Sequence, residues 1–78
     1  MEVELYGVLR GVVGARSCSV EVAESSVQAV LDAVVALHPE IAGALRGVAV
    51  AVDERIVGRD AAVPRGAAVA LLPPVSGG

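Results

Sequence analysis

The residues of this 78-residue chain that could do chemistry are few. They are one cysteine (Cys18), one histidine (His38), an adjacent acid pair (Asp53-Glu54), and the carboxylate of the last of two glycines, Gly77-Gly78. Cys18 alternates with Val20 and Val22, the pattern of an inward strand face, and so reads as a buried structural thiol rather than a redox or sulfur-relay group. His38 precedes Pro39 and has no other histidine, and a metal site or a general base needs partners around it. Asp53-Glu54 interrupts an apolar strand. Acid–base work needs a pocket around such a pair, and a solvated turn is the simpler reading. Gly11 to Gly14 is not a phosphate-binding loop, because the spacing is wrong and no Lys-Ser/Thr follows.

The terminal carboxylate is different, because of what leads to it. Leu71-Leu72 run into Pro73-Pro74-Val75-Ser76, and then come two bare glycines. The prolines lack a backbone N–H and fix φ, so they cannot extend a central sheet and favour an extended path. Gly77 and Gly78 have no side chain and can approach another backbone closely. The result is a stiff lead with a thin tip. A terminal carboxyl titrates near ~3.5, so at neutral pH it is ionised and a poor electrophile. It reacts only after activation by something else.

A chain of this length makes one small domain, which must hold together without disulfides because Cys18 is alone. Its apolar share of 55% is mostly Val, Ala and Leu, and Tyr6 is its one aromatic residue. No apolar run reaches the ~18 residues of a membrane helix, so no membrane partner is expected. Met1-Glu2-Val3-Glu4 is acidic and alternating, not a basic leader, and with a lone cysteine this fits the cytoplasm. Net charge is −3 and the six basic residues are all arginines, scattered along the chain. Nucleic acid is not an expected partner. The absence of lysine leaves no side-chain amine to accept an isopeptide bond.

The elements that would position the tail follow from periodicity. Met1 to Val8 alternates, with Val3, Leu5 and Gly7 facing one way and Glu2, Glu4, Tyr6 and Val8 the other. Leu9 to Ala15, with Gly11 and Gly14, reads as a loop or loose hairpin, and Ser17 to Ala23 as the returning strand. Val27, Val30, Leu31, Val34 and Val35 recur at helical spacing, with Leu37 near the same stripe. Ser25 with Gln28 makes a capping box, and Ser26 competes as the N-cap. The helix should end near Leu37 or His38, because a residue before proline avoids the helical region. Pro39 to Leu45 could form a short second turn. Val48 to Val52 is a strand apolar on both faces, Ile56-Val57 a short fourth strand, Gly58 to Gly66 a loop, and Ala67 to Leu72 the last strand. One amphipathic helix must cover one sheet face. A right-handed crossover would put the strand after the helix beside the first, with the last strand also central. The class is α+β: a β-grasp, ubiquitin-like mixed sheet of four to five strands under one main helix. The domain spans residues 1–73 and an extended tail 74–78. Tyr6, Ala70 and Leu72, with Ala49, share the face away from the helix as an apolar patch that could meet a partner.

With that topology and a Gly-Gly end, the chain resembles the small subunit of molybdopterin synthase, the MoaD family of sulfur carriers. The resemblance rests on Leu5-Tyr6-Gly7-Val8-Leu9-Arg10, Ser26-Val27, Ala51-Val52-Asp53-Glu54 and the run from Val69 to Gly78. It departs from the family at Asp53, where Asn is usual, and at Pro64-Arg65-Gly66-Ala67-Ala68, where an acidic turn is usual. The resemblance implies a non-catalytic carrier subunit that binds no cofactor itself. An ATP-dependent adenylyltransferase of the ubiquitin-activating type would adenylate Gly78, and a sulfur donor protein would convert it to a thiocarboxylate. The tail (Pro74, Val75, Ser76, Gly77) would enter the large subunit of molybdopterin synthase, where one sulfur per carrier is passed to a pterin precursor. The alternatives are a sulfur carrier for thiamin, a natural product or tRNA thiolation, and a ubiquitin-like protein modifier.

Overall fold

The structure is a computed structural model and describes residues 1–74. Its elements are β1 (Glu2–Leu5), α1 (Val8–Val13), β2 (Ser17–Ser19), α2 (Val27–Leu37), a 3-10 helix (Pro39–Leu45), β3 (Ala49–Val52), β4 (Arg55–Val57) and β5 (Val69–Leu72). The five strands form one mixed sheet in the order β2-β1-β5-β3-β4. β5 runs parallel to β1 and antiparallel to β3. This is the expected β-grasp.

One neighbour relation differs from the expectation. β3 does not lie beside β1, because β5 sits between them and is hydrogen-bonded to both. The crossover through α2 therefore skips a position, which the last strand later fills. A strand that is apolar on both sides suits that place, with a neighbour along each edge and α2 over one face.

α2 forms where the apolar period says it should. Val27, Val30, Leu31 and Val34 form a stripe that is at most 2% exposed. Ser26, not Ser25, is the N-cap, and its hydroxyl accepts from the Ala29 amide at 3.2 Å. The two preceding free amides of the first turn are satisfied from the loop before β5: Val27 N–H donates to Ala61 and Gln28 N–H to Arg59, both at 3.0 Å. That loop is thus part of the helix cap. It also contributes Val63, which is fully buried and whose amide donates to Ser25 at 2.8 Å. The helix ends at Leu37 before His38-Pro39, as expected, but Leu37 itself is 52% exposed and lies outside the stripe.

The segment after β1 overturns the expected strand and loop. β1 stops at Leu5, and residues 8–13 form a one-and-a-half-turn helix instead of a loose hairpin. Gly7, at φ 57° and ψ −134°, turns the chain out of the sheet. Gly14, at φ 81°, ends the helix in a left-handed cap with its N–H on Arg10 O. Leu9 is buried while Val12 and Val13 pack against the core, an i, i+3, i+4 set. Val8 consequently belongs to α1, not to the outer strand face.

Under α2 the inner sheet face carries Val3, Leu5, Val69 and Leu71, each at most 1% exposed, with Val50 and Val52 beside them. The core contains no aromatic ring and no buried polar or charged side chain among the described residues. Cys18 is part of it; burial, and secondarily the charge of Glu2, pushes its thiol up. An inert structural cysteine is what that environment makes.

Candidate functional site

Strand register lays out the opposite sheet face. Glu4 pairs with Ala70, Ala70 with Ala51, and Ala51 with Ile56, so one row of side chains crosses β1, β5, β3 and β4. The next row toward the tail pairs Leu72 with Ala49. Because alternate strand residues face opposite sides, these are the residues the core does not use. Glu4, Ala51, Ile56, Ala70 and Leu72, together with Tyr6, Glu54 and Ala68, line a shallow apolar concavity. Small Ala side chains form its floor. Tyr6 (36% exposed) and Ile56 (63% exposed) form its raised apolar edges, and Glu4 and Glu54 stand at its acidic rim.

Tyr6, Ala70 and Leu72, chosen from the sequence as a partner surface, are brought together here. Ile56 completes the surface and was missed. The one signal for it was a large apolar residue beside the Asp53-Glu54 turn, in a three-residue strand. Tyr6 is held rather than free. Its hydroxyl donates to Glu4 Oε2 at 2.8 Å, and the Arg10 guanidinium lies 5.0 Å from its ring centroid. Arg10 is itself anchored by Nε donating to Leu5 O at 2.7 Å. The hydrogen bond to Glu4, and then that carboxylate's charge, push the Tyr6 phenol up from its ordinary range, so the ring stays neutral and keeps its donor.

The other candidates fall to structural roles. Asp53 and Glu54 are the two central residues of the β3–β4 hairpin, with φ of 50° and 70°. Asp53 Oδ1 accepts from Ala68 N at 3.0 Å and Asp53 N donates to Ala68 O at 2.8 Å, which ties this turn to the start of β5. His38 Nδ1 lies 3.5 Å from Glu40 Oε1 at the helix junction. Among the described residues, no three His, Cys, Asp or Glu side chains gather where a metal could bind, and no helix is long and apolar enough to cross a membrane.

β5 delivers the chain from the middle of the sheet to Pro73 and Pro74 at one end of the apolar face. Pro74 is exposed. The tail residues Val75, Ser76, Gly77 and Gly78 lie outside the described residues.

The sequence model of the ThiS family matches residues 3–78. The chain belongs to the ThiS family. Among solved structures, SAMP1 from Haloferax volcanii is 31% identical, with a TM-score of 0.89 over 100% of this chain and 98% of that one. A chain of the Amycolatopsis orientalis BexX/CysO complex is 25% identical, with a TM-score of 0.77 over 99% of this chain and 98% of that one. A putative molybdopterin converting factor, subunit 1, from Pyrococcus furiosus shares the fold at 22% identity, with a TM-score of 0.82 over 95% of each chain. A search of curated proteins gave no match. This ThiS-family chain is thus a ubiquitin-like protein of the sulfur-carrier or modifier kind, and its body is the β-grasp described above.

Proposed function

We propose that this chain is a sulfur carrier that works through the carboxylate of Gly78 and supplies molybdopterin synthesis as the small subunit of its synthase. The observation that carries the reading is the sequence Pro73-Pro74-Val75-Ser76-Gly77-Gly78 that follows β5, whose last residue, Leu72, lines an exposed apolar face. In the first step a Gly78 carboxylate oxygen attacks the α-phosphorus of ATP and pyrophosphate leaves. The acyl-adenylate carbonyl is then electrophilic. A sulfur nucleophile of the hydrosulfide class forms the C–S bond, and the C–O bond to AMP breaks with its electron pair. The product is a thiocarboxylate, soft and nucleophilic as thiolates are. An ATP-dependent adenylyltransferase carries out the first step, a sulfur donor protein serves the second, and the synthase large subunit receives the sulfur. Pro74, Val75, Ser76 and Gly77 are the segment that enters these enzymes, and Tyr6, Ile56, Ala70 and Leu72 form the surface on which they close.

A second reading, a protein modifier, is favoured by the similarity to a protein named as a small archaeal modifier. Both readings share the adenylate and differ in what attacks it: sulfur, or a target amine. Intact-mass measurement on protein purified from its native cell separates them. Exchange of one terminal oxygen for sulfur is expected, and a covalent adduct to another protein would support the modifier instead. Deleting Gly78 should abolish loading with no change in melting temperature. Persisting pterin sulfuration by the deleted protein would end the proposal.

A further inference from the structure

The two strands that flank β5 both meet glycine where β5 meets proline. Carried two residues beyond the Leu5–Leu71 pair, the parallel register sets Gly7 opposite Pro73. Carried two residues beyond the Ala49–Leu72 pair, the antiparallel register sets Gly47 opposite Pro74. Both glycines have positive φ, 57° and 72°. At each the chain leaves or enters the sheet by a turn, into α1 on one side and out of the 3-10 helix on the other. A Cβ on Gly7 would lie 2.8 Å from Pro73 Cγ, inside any real contact distance, and one on Gly47 would touch Pro74 Cγ at 3.7 Å. The Pro73 ring therefore occupies the space a side chain at Gly7 would need, and the Pro74 ring lies against Gly47.

We infer that Gly7 and Gly47 are positioning residues for the tail: together they form a notch without side chains that seats the Pro73-Pro74 rings and sets the direction in which the reactive end leaves the sheet. Proline cannot hydrogen-bond onward along a ladder, so pairing alone cannot aim it. Ring packing against bare backbone can. The inference rests on the carrier reading of Gly78. It adds that two residues far from Gly78 in sequence govern how well the tail is presented.

The experiment compares the full chain with Gly7→Ala, Pro73→Ala, the double variant and Gly14→Ala, using ATP–pyrophosphate exchange by the adenylyltransferase of the same cell. Gly14 also has positive φ but nothing within 4 Å of an added Cβ, so Gly14→Ala reports backbone strain alone. Gly7→Ala should lower kcat/KM by about 10-fold or more, the scale of a small misplacement of a reacting group, and Gly14→Ala should not. Removing the Pro73 ring from the Gly7→Ala protein should restore kcat/KM to that of Pro73→Ala, while the lowered melting temperature persists. A double variant no better than Gly7→Ala, or a Gly7→Ala protein with normal kcat/KM, overturns the inference. Should Gly7→Ala not fold, Gly47→Asn, which tolerates positive φ and sets a side chain against the Pro74 ring, must show a smaller loss of the same kind. Nuclear Overhauser contacts between Gly7 Hα and the Pro73 ring test the seat in the unmodified protein without any enzyme, and their absence sinks it. If those contacts are present but no exchange occurs at all, the carrier reading fails, and the positioning role fails with it.

Discussion

β5 has two faces with different occupations. Val69 and Leu71 are 1% and 0% exposed beneath α2, whereas Ala70 and Leu72, one residue along in each case, are half-buried on a face that no helix among the described residues covers. The same four residues hold the domain together on one side and offer a surface on the other. The difference is one of neighbours, not of hydrophobicity. An apolar residue is core only if another element is folded over it. With one main helix to spend, this sheet can bury only one of its faces.

That contrast can be pressed from both sides. The largest effect should come from the inner face. Leu71→Ala deletes a fully buried side chain and should cost about 2–5 kcal/mol. For a domain this small that lowers the melting temperature by roughly 10 °C or more, readable by calorimetry. On the outer face, Ile56→Asp and Tyr6→Asp should leave melting within a few degrees and weaken binding to the adenylyltransferase or the synthase large subunit by about 10-fold, the scale of a buried interface anchor. A large loss of stability from Ile56→Asp, with affinity intact, would reverse the assignment of the two faces. The smallest effect lies at the far end of the outer face. Glu2 accepts from Ser17 Oγ at 2.7 Å and from Ser19 Oγ at 2.8 Å, and these bonds hold its carboxyl below the ordinary 4.5. The folded value is depressed, so this contribution is full above 4.5 and fades as pH falls through the lowered value. Urea titrations of the protein and of Glu2→Gln should converge slightly on acidification.

Much of this was legible in the sequence. The period-two runs around Val3-Leu5 and Val69-Leu71 and the helical stripe from Val27 to Val34 each report a single buried face, and single faces leave strong patterns. Residues 8–13 were misread because Gly11 and Gly14 signal a break, while the competing signal, Leu9 with Val12 and Val13, is less than two turns long. Gly14 was in fact a helix-ending signal and Gly11 sits on an exposed helix surface with open space around it. Strand order was half legible. A charge-free final strand pointed to a central position, but nothing local in Val48–Val52 says whether its neighbour will be β1 or a strand still to come. The partner face was visible in Tyr6, Ala70 and Leu72 because they alternate against core residues. Ile56 lay in a strand too short to show a period. The Gly7–Pro73 and Gly47–Pro74 pairings were invisible before the register was known, since each joins residues distant in the chain.

The position of β5 has a mechanical meaning. The β1–β2 and β3–β4 strand pairs share no ladder, and β5 is bonded to both. A pull on the residues that follow it runs along the strand axis, across the direction of the hydrogen bonds. The load then falls in shear on two ladders at once, not on one bond at a time as it would in peeling an edge strand. A load applied through the residues after β5 can therefore be taken up and released without unzipping the body that carries them.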